Sequence, residues 1–370
     1  MMTADQPKGA VTLTLERILD LAPCEGNRRN SEGDFILLKD GRILFVYSRY
    51  GDGSADGDAA DLYAILSSDG GRSFSAPRLL ISRGSLGADN LMSVTLRRMK
   101  NGDLGLFFLK KTAPYQCRLY LMRSSDEGVT FSRPVACIPH RGYFVVNNDR
   151  IILTRSGTWL VPAACTEVLI DDGTGDGTYG PAHLIVYASD DDGATWYRKG
   201  EARPAGGFEK SRTGLQEPGL LELSDGTLWA WFRTDTGWQY ESFSRDGGES
   251  WTAPVRSCFT APSSPLSAER LSDGSILAIW NPVPILNGRT DRSPRYGFWT
   301  GGRTPLVMAR SFDDGKTFSA PADLERDPDL GYAYVAIREL PDRSVLLGYC
   351  AGEPGDGGML NRLRIARLHL

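Results

Sequence analysis

The sequence predicts an all-β protein, a six-bladed β-propeller of four-stranded antiparallel blades forming one domain over residues 1–370. Two internal repeats, with no sustained helical periodicity between them, lead to that reading. The first is a tight turn followed by an apolar strand. Lys39-Asp40-Gly41 precedes RILFVYSRY, Lys100-Asn101-Gly102 precedes DLGLFFL, and Ser156-Gly157 precedes TWLVPA. Ser224-Asp225-Gly226 precedes TLWAWFR, Ser272-Asp273-Gly274 precedes SILAIWNP, and Pro341-Asp342-Arg343 precedes SVLLGYC. Asp-Gly and Asn-Gly supply the positive φ angles that tight hairpins require.

The second repeat is Ser-x-Asp-x-Gly-x-(Thr/Ser)-(Trp/Phe), present as SSDGGRSF from Ser67, SSDEGVTF from Ser124, SDDDGATW from Ser189, SRDGGESW from Ser244 and SFDDGKTF from Ser311. Each copy is a self-sufficient turn. The Asp carboxylate accepts backbone N–H bonds, Gly takes the left-handed position, and the aromatic ring plugs the sheet below. Recurrence of one turn marks it as structural, not as a catalytic or calcium centre. A hairpin plus a boxed turn makes a four-stranded unit of about 60 residues, and radial repetition of such units is a propeller. The last blade reads as composite, with LRIARLHL closing against an N-terminal strand.

Composition narrows the function. The 42 basic and 46 acidic side chains leave a net charge of −4, which argues against nucleic acid or a polybasic membrane surface as partner. No apolar run approaches the ~18 residues of a membrane span. The N-terminal segment lacks the pattern of an export signal. Six scattered cysteines without a CxxC pair read as thiols in a reducing compartment, so the expectation is a cytoplasmic protein. With 3 histidines a His-based metal site is not expected, and no cofactor is implied.

In a propeller the inner strand of each blade lines the axis. Nine residues before each turn Gly, or before Arg343 in the last repeat, stand Glu32, Ser93, Asn148, Glu217, Pro265 and Tyr334. Arg28, Arg29, Asp34, Asn147, Asp149, Arg150, Gln216 and Tyr332 lie nearby in the chain. Converging carboxylates, a phenol and arginines suit sugar recognition and glycosidic chemistry, in which paired acids share the proton transfers. Trp231, Trp238 and Tyr240 are candidates for a sugar-stacking wall.

These residues resemble the sialidase (neuraminidase) superfamily, whose hallmark is the Asp-box repeat on a six-bladed propeller. SRTGLQEPGLLELSDGTLWAWFR is similar to the family segment that carries a Glu and then an Arg, here Glu217 and Arg233. IWNP resembles the family's Asn-Pro. GRTPLVMARSFDDGKTF resembles the segment with an Arg before the last box, here Arg303, and GYAYVAIRELPDRSVLLGYC the strand of the tyrosine nucleophile, here Tyr334 with Tyr332 as the alternative. RILFVYSRYGDGSADGDAAD resembles the stretch in which an Arg ends a strand and an Asp acid/base follows, here Arg49 and Asp56, with Asp52, Asp58 and Asp61 crowding the second.

The resemblance implies an exo-acting, retaining hydrolase of a terminal α-linked sialic acid, its partner a glycan or glycoside. Asp56 would protonate the leaving oxygen, Tyr334 would attack, and Glu217 would take the tyrosine proton. Arg233 and Arg303 would clamp the substrate carboxylate. Two departures stand against this pattern. Ser31-Glu32-Gly33 occupies the register of the family's Arg-Ile-Pro, and Tyr349-Cys350 that of the Glu orienting the missing arginine. Arg28 or Arg29 could reach in, Glu32, Asp34 and Asn148 join Arg29 as candidate substrate contacts, and on a sugar other than a sialic acid Glu32 and Asp34 could be the acid/base pair. A different sugar, a lyase action on a uronate, and a non-catalytic glycan binder therefore stay open as alternatives.

Overall fold

The computed structural model describes residues 13–113, 115–168, 179–204, 211–284 and 302–370. The N-terminal residues read for an export signal lie largely outside these. Among the described residues there is no α-helix. Strand β1 (Thr14–Leu21) leads into a sheet of β2 (Asn30–Leu37), β3 (Ile43–Tyr50), β4 (Ala60–Ser67) and β5 (Arg78–Ile81), each antiparallel to the next. The same order repeats in β6 (Asn90–Arg98), β7 (Leu104–Ala113), β8 (Gln116–Ser124) and β9 (Val135–Ala136). The third sheet starts with two short pieces, β10 (Tyr143–Val145) and β11 (Ile152–Leu153). Both pair with β12 (Trp159–Val168), which β13 (Tyr179–Ser189) and β14 (Tyr197–Ala202) follow.

Two further sheets are β15 (Gln216–Glu222), β16 (Leu228–Arg233), β17 (Trp238–Ser244), β18 (Val255–Thr260), and β19 (Ser267–Arg270), β20 (Ile276–Trp280), β21 (Leu306–Ser311), β22 (Ala322–Glu325). The last holds β23 (Gly331–Glu339), β24 (Val345–Gly352) and β25 (Leu363–His369), and is completed by β1. The expected composite is found: β1 runs antiparallel to β25 from Thr14↔His369 to Leu21↔Leu363. Single parallel pairings, Ala60↔Asn90 and Tyr143↔Cys117, join the first three sheets edge to edge.

Strand β3 shows why the sheets stack face on face. Ile43, Leu44, Phe45, Val46 and Tyr47 are all buried, without the in–out alternation of a sheet that has one wet face. Phe35 and Phe45, with ring centroids 4.3 Å apart, pack with Leu346 and Ile365 of the last sheet. Leu44 and Val46, from the other face, pack with Leu96 and Leu106 of the second. Burial of such a side chain is worth about 1.5–3 kcal/mol. Strand β2 thus lies between β6 and β23, and β19 between β15 and β23.

The five boxed turns behave as anticipated. In the first, Ser67 Oγ donates to Asp69 Oδ1 at 2.8 Å, and Asp69 accepts from the Arg72 and Ser73 amides and the Ser73 hydroxyl. The other four repeat the pattern around Asp126, Asp191, Asp246 and Asp313. Their donors, Thr195 and Thr317 foremost, hold Asp191 and Asp313 down to about 2. The hairpin glycines take the left-handed conformation, Gly41 at φ 84° for example. Arg343 holds the same place in the sixth hairpin at φ 66°.

A buried ion network ties the inner strands together. Arg97 on β6 donates to Asp34 on β2 at 3.0 Å and to Asp149 at 2.7 Å, and Arg338 on β23 reaches Asp34 at 3.4 Å. Glu269 on β19 faces Asp149, Arg338, Arg97 and Asp34. Burial, then repulsion by Asp149, push its carboxyl above the usual range although the arginines oppose this. A raised carboxyl binds a proton in the folded chain that the unfolded chain has lost, so its contribution to stability falls as pH rises through that window. Glu269→Gln should therefore match the wild-type Tm near pH ~5 and exceed it increasingly towards pH ~8. A constant offset in melts across that range would refute the raised carboxyl.

Candidate active site

Four inner strands share one irregularity. The ladder slips between Ser31 and Asp34, Met92 and Thr95, Gln216 and Gly219, and Ala333 and Ala336. Inside each slip one residue has positive φ: Glu32 at 55°, Ser93 at 57°, Glu217 at 45° and Tyr334 at 62°. A bulge leaves its extra residue unpaired and re-aims the side chain, and a non-glycine left-handed residue costs about 1–3 kcal/mol. Repeating that cost on four strands brings these side chains to one cavity of about 430 Å³. The nine-residue count thus located the bulges. In the third sheet the left-handed residue is Asp149, one position after Asn148, and the fifth inner strand begins after Pro265 without such a residue.

On one wall, Tyr334 Oη donates to Glu217 Oε1 at 3.0 Å. Arg233 Nη1 donates to the same oxygen at 2.7 Å and lies 3.5 Å from Tyr334 Oη. The second oxygen of Glu217 is buried and has no hydrogen-bond partner among the described residues. Burial, then the charge of Glu217, push the Tyr334 phenol above its ordinary value against the pull of Arg303 and Arg233, so the phenol is protonated at rest. Arg303 stands 5.4 Å from the centre of the Tyr334 ring. Its Nη2 and the Arg233 Nε both bind Ser263, at 3.0 Å each, while Arg303 Nη1 is buried without a partner among the described residues. Asn281, of the Asn-Pro motif, accepts from Ser264 Oγ at 2.6 Å and donates to Pro305 O at 2.9 Å, fixing the two loops that carry Ser263 and Arg303.

A second part of the wall is acidic. Arg29 is buried and forks between two carboxylates, Nη2 to Glu32 Oε1 at 2.8 Å and Nη1 to Asp56 Oδ1 at 2.6 Å. Ser93 Oγ donates to the other Glu32 oxygen, and Lys111 Nζ donates to the Asp56 carbonyl. Of the crowded loop aspartates, Asp56 alone lines this cavity. Asp58 caps the Ala55 amide and Asp61 pairs with Arg83.

Six expected positions lie elsewhere. Asp34 is fully buried, spent on Arg97 and on the Leu96 amide, because it follows the bulge and turns away from the cavity. Arg49 stacks 4.7 Å from the Tyr63 ring and borders a separate surface hollow with Asp52 and Asp58. Asn148 is no cavity wall either: its Nδ2 bridges the carbonyls of Gly33 at 3.0 Å and Tyr334 at 3.1 Å, tying two bulges together, while Asn147 forms the wall. Trp231 is core, its Nε1 bound to Leu266 O at 2.8 Å, and Trp238 and Tyr240 also lie off the cavity.

A family model described as a BNR repeat-like domain matches residues 87–347. The chain belongs to the BNR repeat-like domain family. A search of the curated proteins found no match. Among solved structures, a Dyadobacter fermentans protein of unknown function is 19% identical with a TM-score of 0.71, covering 96% of this chain and 99% of that one. The NanB sialidase of Streptococcus pneumoniae is 14% identical with a TM-score of 0.69, over 95% of this chain and 70% of that one. An intramolecular trans-sialidase from Ruminococcus gnavus is 16% identical with a TM-score of 0.68, over 96% and 97%. At these identities the likeness is one of fold.

Both departures from the sialidase pattern fall on the acidic wall. Ser31 Oγ and Cys350 Sγ are 3.4 Å apart, and Arg29 lies 3.2 Å from that same hydroxyl. Arg29 therefore enters from three residues before Glu32 and is neutralised by Glu32 and Asp56 instead of facing the cavity as a free cation. Sequence reasoning assigned no role to Lys111 or Arg212, which also line the cavity. The double Lys that ends the apolar run LGLFFLKK was the one signal for Lys111, and Arg212 had none.

Proposed function

We propose that this chain is an exo-acting, retaining glycoside hydrolase of the sialidase type, its six sheets the blades of a closed propeller and its cavity the site for a terminal α-linked nonulosonic acid. The Tyr334–Glu217 pair carries this reading. Tyr334 attacks the anomeric carbon while its proton passes to Glu217 Oε1, the oxygen to which the phenol already donates at 3.0 Å. A neutral phenol approaches an anomeric centre bearing a carboxylate without the repulsion that an Asp or Glu nucleophile would meet. Arg303, whose buried Nη1 has no partner among the described residues, and Arg233 supply positive charge for the substrate anion. A non-catalytic glycan binder would have no use for a phenol hydrogen-bonded to a carboxylate. A second reading, a sugar without a carboxylate at that centre, is favoured by Glu32 and Asp56 in the same cavity. The six cysteines are all free thiols, which supports a reducing, cytoplasmic setting.

The test is trapping. A 3-fluorinated N-acetylneuraminyl fluoride, which departs without a proton donor, should leave a glycosyl adduct that peptide mapping places on Tyr334. An adduct elsewhere would remove Tyr334 from its role. Neither adduct nor hydrolysis of the umbelliferyl glycoside by folded protein would refute the nonulosonic acid reading and leave the second.

A further inference from the structure

The acidic wall holds two carboxylates on one guanidinium, and they differ in their surroundings. The Glu32 side chain is 4% exposed and the Asp56 side chain 64%. With both ionised, Arg29, Glu32 and Asp56 together carry one net negative charge, its Glu32 end shut off from water, and a single proton neutralises the trio. That proton belongs on the buried member, since ionisation is resisted most where water is excluded. Asp56 has the water, and Lys111 and Arg303 add their charge to that of Arg29 on its side.

Resting on the Tyr334–Glu217 reading, we propose that Glu32 is the general acid and base of this site, with Asp56 its ionised, positioning neighbour. Glu32 stands on a bulge in the cavity wall, and Asn148 holds the backbone beside it to the backbone of Tyr334 through one amide nitrogen. Its carboxyl proton passes to the glycosidic oxygen as the bond to the anomeric carbon breaks. At the same time the Tyr334 oxygen bonds to that carbon and its own proton passes to Glu217. In the second half, Glu32 takes a proton from water as the water oxygen attacks the anomeric carbon, and Tyr334 departs with the proton returned from Glu217. The Ser93 hydroxyl can rotate to serve either charge state of Glu32. Burial, the first cause, and the charges of Asp56 and Glu217 raise the Glu32 carboxyl against Arg29 and Ser93. Burial works against the Asp56 charge as well, yet Arg29, then Lys111 and Arg303, hold that carboxyl below the usual range. Two carboxyls driven apart by their settings mark the acid and the ionised partner.

The experiment compares Glu32→Gln and Asp56→Asn on two α-N-acetylneuraminides, sialyllactose and the 4-methylumbelliferyl glycoside. Umbelliferone leaves with little help, and the sugar alcohol needs the proton. Glu32→Gln should lower kcat/KM on sialyllactose by about 10²–10⁴-fold and far less on the umbelliferyl glycoside, and azide, a nucleophile needing no base, should restore its turnover as the glycosyl azide. Asp56→Asn should lower both substrates by one factor, without azide rescue. Leaving-group dependence and azide rescue in Asp56→Asn instead, or equal losses in Glu32→Gln, would overturn the assignment. If Glu32→Gln does not fold, Glu32→Asp, with its carboxyl drawn back, should show the same substrate dependence in weaker form. If the wild type hydrolyses neither glycoside, the nonulosonic acid reading fails on its own. Glu32 is then decided by infrared difference spectra of wild type against Glu32→Gln, where absence of a protonated carboxyl band near pH ~6 overturns its role.

Discussion

Tyr334→Phe is expected to lower kcat by about 10³-fold or more while the protein still folds and still binds the glycoside. The substitution removes one oxygen and keeps the ring beside Arg303 and the left-handed bulge that presents it. What is lost is the atom 3.0 Å from Glu217 that forms the bond to the anomeric carbon. Glu217→Gln should cost about 10²–10⁴-fold, because an amide still fills the space but cannot take the phenol proton. Kinetics with the umbelliferyl neuraminide, with calorimetric binding of the free sugar as the control, separate loss of chemistry from loss of binding. Near-wild-type turnover by Tyr334→Phe would end the tyrosine mechanism.

Arg364→Met is expected to destabilise the fold by about 3 kcal/mol without touching the cavity. Arg364 is buried on β25. Its Nε and Nη2 bind Asp20 on β1 at 2.7 and 2.8 Å, and its Nη1 binds Glu325 at the end of β22 at 2.7 Å. One side chain therefore holds together both chain ends of the composite sheet and the neighbouring sheet. Met fills the volume and leaves Glu325, 4% exposed, with Tyr349 Oη at 2.9 Å and the surface residue Arg17 at 2.7 Å. Those remaining partners keep the cost at the low end for breaking a buried pair. Urea unfolding should show a lower midpoint, with kcat/KM unchanged below the transition. An unaltered midpoint would mean that β1 is held by its strand pairing alone.

The fold could be read from residue order because its signals are local. A turn glycine or Arg343, a Ser-x-Asp-x-Gly box and an apolar run each depend on a few neighbouring residues, and their repetition marks out the sheets, the composite last sheet included. Even the bulges were within reach, since Glu32, Ser93, Glu217 and Tyr334 stand at one fixed distance from their turns. The choice between Tyr334 and Tyr332 needed the structure. Two residues apart on one strand, the bulge sends the first to the cavity, while the second is fully buried in the core with Tyr349.

Residue order by itself determined the all-β repeat architecture and the structural nature of the boxes, and through its family resemblance pointed to Glu217, Arg233 and Arg303. Tertiary structure alone decided that Asp34 serves an ion network, that Arg49 stays outside, that Lys111 and Arg212 come in, and that Arg29 is divided between Glu32 and Asp56. The physical reason is range. Hairpins and boxes are written in bonds between residues a few positions apart, whereas the charge state of a carboxyl depends on which cation and how much water the packing of distant strands places beside it.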